Sequence, residues 1–350
     1  MRKQKAFNWN YLFSHNKKQN VTSFYYKMYD WIEIDFKYGD GVPSSRITNE
    51  IILQSEYKVI QTGTVWQNGY VTNETTGRKL GMSVNNKGRG RIKVCPPKFI
   101  LGNNAQEVSI KETFHLFEDL SHMIGIDLGD AIIRSLDVTH TAITDFTPEA
   151  YFPYLCNQTG QIRWQLDTTL YYGKNGGNKK NSKKFYDKTR EVDTRKTWGG
   201  RQTMPLELKG KELTRFEVGL GNHRSTSKVI GQDACLGHLF MEESVEKLHN
   251  HWLDSYSTIP KNTDINFNYI AGMGAKEVQD ELIFKALANY GRINIENEIE
   301  LAYKMGAFKD RQSKYYAKKN LLKAFEDRAT PNDLMKELDR KILGVEPLWE

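Results

Sequence analysis

Polar and apolar positions alternate through MYDWIEIDFKY at 28–38, with Trp31, Glu33 and Asp35 on one parity and Ile32, Ile34 and Phe36 on the other. That two-residue period predicts a strand with one buried face and one face that carries carboxylates. Further extended segments are predicted at 51–60, 63–72, 78–85 and 90–95, broken by the turn pairs Asn68-Gly69 and Thr76-Gly77 and by KGRG at 87–90. The period then lengthens. Val108, Ile110, Phe114, Phe117, Leu120, Met123 and Ile124 recur at helical spacing and predict a helix over 107–126.

A second β-rich block begins at Ala131, where IIRSLDVTHTAI sets Asp137, Thr139 and Thr141 on one side and Leu136 and Val138 on the other. A helix at 147–156, strands near 162–173, 183–188 and 212–220, and a helix from about 239 to 254 follow. Two basic loops interrupt them, GKNGGNKKNSKK at 173–184 and KTREVDTRKTWGGRQ at 188–202. The strand–helix–strands order occurs twice, which predicts an α+β protein of antiparallel sheets in two related lobes that share or face a sheet; the alternative is one irregular large sheet. After Pro260 the chain turns to short amphipathic runs at 275–290, 295–306, 308–327 and 331–343, the pattern of a helical domain. The expected division is 1–112, a β-rich DNA-binding lobe, 113–260, a catalytic lobe, and 261–350, a C-terminal helical domain.

Fifty basic and 43 acidic side chains give a formal charge of +7, which favours a polyanionic partner. Cys95, Cys156 and Cys235 stand far apart with no Cys-x-x-Cys pair, as in a reducing cytoplasm. No apolar run reaches a signal peptide's core or a membrane span, so no membrane partner is expected and a bacterial cytoplasmic location is. The basic faces expected to meet DNA carry Lys87, Arg89, Arg91, Lys98, Lys179, Lys180, Lys183 and Lys184.

The segment richest in chemistry is KKFYDKTRE at 183–191, where Tyr186 and Lys188 share a strand parity and would point together into one groove. A phenol beside a cation is a competent attacker of a phosphodiester, whereas an ordinary tyrosine packs at a sheet edge. In ELTRFEVGL at 212–220, Arg215 and Glu217 share one face, and Asp137 holds an equivalent place on its own strand. Carboxylates suit Mg²⁺ or Mn²⁺, though each is also at home on a solvated strand face. No Cys/His grouping has zinc spacing, His140 reads as a packed side chain, and no Gly-x-x-x-x-Gly-Lys-Ser/Thr loop points to an ATP-driven helicase.

Taken in order, MYDWIEI at 28–34, CPPKFILGNN at 95–104, RSLDVTHTAI and the series TLYYGK…KKFYDKTRE…LTRFEVGL resemble the gene II/X-type replication initiators of filamentous phages and similar plasmids. They resemble more distantly the initiators of small staphylococcal rolling-circle plasmids. The resemblance spans roughly residues 28–255 and departs at Cys95-Pro96-Pro97-Lys98-Phe99, where the family often has Ser-Pro-x-Lys-Phe. It implies a metal-dependent enzyme that nicks single-stranded or supercoiled origin DNA through Tyr186, keeps the 5′ end and leaves a 3′-OH. By the same resemblance Lys188 and Arg215 stabilise phosphate charge, Asp137 and Glu217 hold the metal, and host helicase and polymerase are partners, with homodimerisation open. Two other readings share these features: a non-catalytic DNA-binding regulator and a mobilisation relaxase. A phenol lying more than about 10 Å from any carboxylate would favour the regulator.

Overall fold

The computed structural model describes residues 27–38, 57–60, 64–174, 182–194, 196–197, 200–261, 263–265, 274–290, 292–326, 329–331 and 333–344. The N-terminal half contributes β1 (Tyr29–Lys37), β2 (Tyr57–Ile60), β3 (Thr64–Thr72), β4 (Lys79–Asn85) and β5 (Arg89–Val94). The following half contributes β6 (Ile132–Thr144), β7 (Ile162–Leu166), β8 (Thr169–Gly173), β9 (Ser182–Asp187) and, after the short pair β10 (Lys196–Thr197) and β11 (Gly200–Arg201), β12 (Glu212–Leu220). These strands, apart from β10 and β11, make one ten-stranded sheet in the order β2-β3-β4-β5-β1-β6-β12-β9-β8-β7, antiparallel at every pairing.

The connectivity repeats. Each half lays down its central strand first, β1 or β6, moves to the outer edge, and works back inward until its last strand pairs with the first. Because β1 and β6 pair with each other antiparallel, the two halves are arranged in the sheet as about a two-fold axis between those strands.

Ten helices lie among the described residues: α1 (Pro96–Leu101), α2 (Ile110–Ile124), α3 (Pro148–Tyr151), α4 (Lys188–Thr194), α5 (His223–Ile230), α6 (Glu242–Ser257), α7 (Ala275–Tyr290), α8 (Arg292–Lys304), α9 (Arg311–Glu326) and α10 (Asp333–Leu343). Two short strands, β13 (Thr263–Ile265) and β14 (Ala329–Pro331), pair with each other. Helix α2 starts where Ser109 and Glu112 form a reciprocal capping box and stops at Gly125, whose positive φ closes the C-terminus. Its buried stripe, Ile110, Phe114, Phe117, Leu120 and Ile124, joins Ile32, Ile34, Leu136 and Val138 on one sheet face. Across β12 and β9, Phe216 stacks on its register partner Phe185 at 4.5 Å and meets Trp252 and Tyr256 of α6 at 5.4 and 5.5 Å. Helix α10 returns to this core through Met335, Leu338 and Ile342, whereas α7 and α8 share a small cluster of their own around Phe284 and Ile295.

Several local expectations change. Asn68-Gly69 makes no turn, because both residues are paired to β4 inside β3. The run at 162–173 is a hairpin bent at Asp167, which takes φ 47. The helix expected at 147–156 divides into α3 and a 3₁₀ turn at Phe152–Tyr154, since Pro153 lacks the N–H that a continuous helix needs. Helix α6 begins at Glu242 after a separate 3₁₀ turn, and 188–194, expected as a loop, is α4. The strand expected at 51–60 is described only from Tyr57 onward.

Candidate active site

The sheet face away from α2 and α6 is polar, and its register lines side chains up in rungs. Thr139 pairs with Glu217, Glu217 with Lys184, and Lys184 with Tyr171. On the next rung Thr141 pairs with Arg215 and Arg215 with Tyr186. The two-residue period thus brings Tyr186, Lys184, Arg215 and Glu217 onto one face, and Asp137 joins them from β6, opposite Gly219.

Four of these side chains touch or neighbour one another. The Tyr186 hydroxyl donates to Glu217 Oε2 at 3.2 Å. Lys184 donates to Glu217 Oε1, and its Nζ stands 3.8 Å from Asp137 Oδ2. Glu217 is almost wholly covered, but about a fifth of the Asp137 and Lys184 side chains remains open, at 22% and 18%, so the group is reached from their side. Burial and the neighbouring Glu217 charge push the Asp137 carboxyl well above its usual range, and it hydrogen-bonds Glu217. Burial, and then the Glu217 charge, also raise the Tyr186 phenol well above its ordinary value, so the resting hydroxyl is protonated and aimed at a carboxylate acceptor.

Beneath this group lies a buried ion pair. Arg215 is fully buried: Nη1 reaches Asp30 Oδ1 at 2.9 Å, Nε reaches Thr141 Oγ1 at 2.7 Å, and Nη2 donates to the Asn104 carbonyl. Asn104 Nδ2 donates to the same Asp30 oxygen at 2.9 Å, and the Asn104 N–H donates to Gln202 Oε1 at 2.8 Å. Burial alone would raise the Asp30 carboxyl, but the Arg215, Lys188 and Lys98 charges hold it well below the usual range. Arg215 is thus corrected from a phosphate ligand to a buried anchor, since the side chain is fully buried and each of its three nitrogens donates within the protein, to Thr141, Asp30 and Asn104. Asp30 escaped the sequence pattern because a bulge between Tyr29 and Trp31 inserts it against the alternation of β1.

Lys188 is also corrected. Strand β9 ends at Asp187, so Lys188 enters as the first residue of α4 rather than by strand parity. Its ammonium lies 5.6 Å from the Tyr186 ring centroid, is completely buried and donates to Glu191. Burial, with Arg215 adding to it, lowers the Lys188 ammonium to about 8. Burial would raise Glu191, yet Lys188 and Lys98 outweigh it and hold that carboxyl at about 2.

The residues expected to bind DNA scatter. Lys87 and Arg89 are exposed around the β4–β5 turn, and Arg91 is half-buried against Asp35 at 2.7 Å. Lys98 sits on α1, close enough for its charge to act on Asp30, Lys188 and Glu191. Lys183 is corrected: it faces the helical layer, where Nζ donates to Gln158 Oε1 and the Ser255 carbonyl, each at 2.8 Å. Lys184 moves from the loop into the candidate active site. Lys179 and Lys180 lie outside the described residues, as do Tyr25 and Tyr26. Tyr172 points to the helical side and donates to the Leu155 and Cys156 carbonyls at 3.0 Å, while His140 packs edge-on against Trp252 at 5.9 Å.

Among the described residues, no group of three or more His, Cys, Asp or Glu is placed to hold a metal ion. Asp137 and Glu217 nonetheless fit a hard divalent cation in donor chemistry, since both offer carboxylate oxygens and both neighbour Lys184 Nζ on one face. Among the described residues, no helix is long and apolar enough to cross a membrane. No family model, no curated protein and no solved structure matches this chain.

Proposed function

We propose that the chain is a strand-nicking and joining endonuclease that initiates rolling-circle replication, with Tyr186 as the nucleophile. The observation that carries this reading is the Tyr186 hydroxyl donating to Glu217 at 3.2 Å, beside an accessible lysine and a second carboxylate. That separation is far inside the limit of about 10 Å beyond which a non-catalytic regulator would be favoured. Glu217 Oε2 takes the phenolic proton as Tyr186 Oη attacks phosphorus. The bond from phosphorus to the 3′ oxygen breaks, that oxygen takes a proton from water as it leaves and becomes the new 3′-OH, and the 5′ phosphate stays on Tyr186. Lys184 balances the carboxylates and faces the phosphate oxygens as charge builds on them. Asp137 and Glu217 would hold Mg²⁺ or Mn²⁺, which when bound supplies Lewis-acid polarisation of the scissile phosphate. Asp30 and Arg215 hold β1, β12 and the Asn104 segment together under this group as positioning residues.

The repeated connectivity supports two related nicking-enzyme-like lobes, with the chemistry in the second and DNA contacts through Lys87 and Arg89 in the first. The resemblance to phage and plasmid initiators supports origin DNA as substrate, host helicase and polymerase as partners, and a bacterial cytoplasmic setting. A mobilisation relaxase would use the same chemistry on a transfer origin. Incubating the protein with supercoiled DNA that carries its own genome's intergenic region, with and without Mg²⁺, tests the reading: open circles should appear only with the ion and not with Tyr186→Phe. Mn²⁺ binding followed by electron paramagnetic resonance tests the ion separately, and Asp137→Asn with Glu217→Gln should abolish it.

A further inference from the structure

Edge strand β7 places Ile162, Trp164 and Leu166 on the same sheet face as Tyr186. Arg163, between them, points to the other side and donates to the Leu155 and Phe152 carbonyls at 2.8 Å. Trp164 stacks on Tyr171 with ring centroids 5.1 Å apart and planes inclined by 6°. Tyr171 is the register partner of Lys184, which is the partner of Glu217, so the stacked pair continues the active-site rung outward. Ile162 and Leu166 flank the ring at 50% and 48% exposure. Among the described residues no strand pairs with β7 on its outer side, and Trp164 is partly exposed there. Exposed apolar side chains along a sheet edge, here Ile162 and Leu166 beside a partly exposed indole, are a liability that soluble proteins usually suppress, unless the face has an occupant.

We propose that Trp164, backed by Tyr171, is a stacking platform for an unpaired nucleobase of the strand being nicked. The proposal rests on the nicking reading and extends it by assigning the Trp164–Tyr171 stack as the place where a base of that strand is held. Two strand spacings and one rung separate Trp164 from Tyr186, roughly 12 Å between backbones, within reach of a base close to the scissile phosphate. A base inside a duplex has its faces covered by its neighbours, so only an unstacked base can lie against the indole. Continuity with the Lys184–Glu217 rung favours this occupant over a second copy of the chain, because a strand held at Tyr186 passes over the same face.

The test uses the full-length chain and fluorescence anisotropy with three labelled probes: short oligothymidylate, a baseless deoxyribose-phosphate chain of equal length, and a duplex. Wild type should prefer oligothymidylate over the baseless chain by about 5- to 150-fold, the range that one stacked base supplies. Trp164→Ala should erase that preference and leave duplex binding unchanged. Trp164→Phe should keep part of it, and Trp164→Leu guards against a folding artefact because it preserves apolar cover without a ring. Full preference in both the Ala and Leu variants would overturn the proposal. So would a dimer that turns monomeric in Trp164→Ala with base preference intact, because the face would then belong to a second copy. Tyr186→Phe separates the two readings: it should lose nicking and keep the base preference, and a platform without any nicking by wild type would sink only the enzyme.

Discussion

Asp30 and Arg215 are 185 residues apart in the chain, yet Asp30 Oδ1 lies 2.9 Å from Arg215 Nη1, with the guanidinium fully buried. Strands β1 and β12 both border β6, and this pair ties them together below the candidate nucleophile.

The pair is therefore structural before it is chemical. Removing one partner of a buried ion pair leaves the other charge without compensation and costs about 3–5 kcal/mol. Asp30→Ala should lower unfolding stability by that amount in urea titration. Arg215→Lys should also destabilise, since an ammonium cannot serve Asp30, Thr141 and the Asn104 carbonyl in the same planar arrangement. A variant at either position with wild-type stability and selectively weakened DNA affinity would restore Arg215 to a phosphate-binding role.

Glu191 sets an acid limit. Its carboxyl is held at about 2 against an ordinary 4.5. The unfolded chain therefore binds this proton more readily, and the stabilisation is complete above about pH 4.5 and lost as pH falls toward 2. The full effect is roughly 3 kcal/mol by linkage. Subtracting the stability of Glu191→Gln from that of wild type across this window should give a difference that shrinks toward acid pH. A constant difference would show that Lys188 and Glu191 are not coupled.

How much of this was legible in the sequence depends on whether the information was local. Alternation alone placed Glu217 and Arg215 on one face and Asp137, Thr139 and Thr141 on another strand's matching face, because a strand's period is fixed by its pleat. The opposite parity of that strand carries Phe216 and Val218, which lie in the core. Asp30 was hidden by a one-residue bulge, which reverses parity without a residue-type signal. The fate of Arg215 was hidden for another reason: Asn104 and Gln202 close over it from segments that no local pattern links to β12. Lys188 was misassigned because the strand ended one residue before it. Lys183 and Lys184 are adjacent and alike in composition, yet one braces the C-terminal end of α6 and the other enters the carboxylate cluster, as alternation on β9 requires.

In the N-terminal half, Gly90 faces Phe36 across the β1–β5 pair, and a Cβ built there would lie 2.1 Å from the Phe36 ring. Phe36 is buried, so the ring has little room to retreat. Gly90→Ala should destabilise by about 1–3 kcal/mol, as overpacking does, and Gly90→Ala with Phe36→Leu should recover part of the loss. Thermal unfolding of the single and double variants checks this, and purely additive losses would contradict it.

Lys87 and Arg89 are the exposed cations of the first half that the proposed DNA path retains. Replacing both with alanine should reduce the slope of log affinity against log salt by about two, one per lost phosphate contact. An unchanged slope would remove the β4–β5 turn from the DNA path.

The central claim is that the Tyr186 oxygen becomes bonded to DNA. The most direct measurement incubates wild type and Tyr186→Phe with an origin oligonucleotide labelled on the 3′ side of the nick, denatures both, and maps the labelled peptide. Wild type should retain label on the peptide that contains Tyr186, and Tyr186→Phe, which keeps the ring and hence the packing, should fold, bind and retain none. Label on a peptide without Tyr186, such as one carrying Tyr171, or an adduct that survives in Tyr186→Phe, would contradict the account.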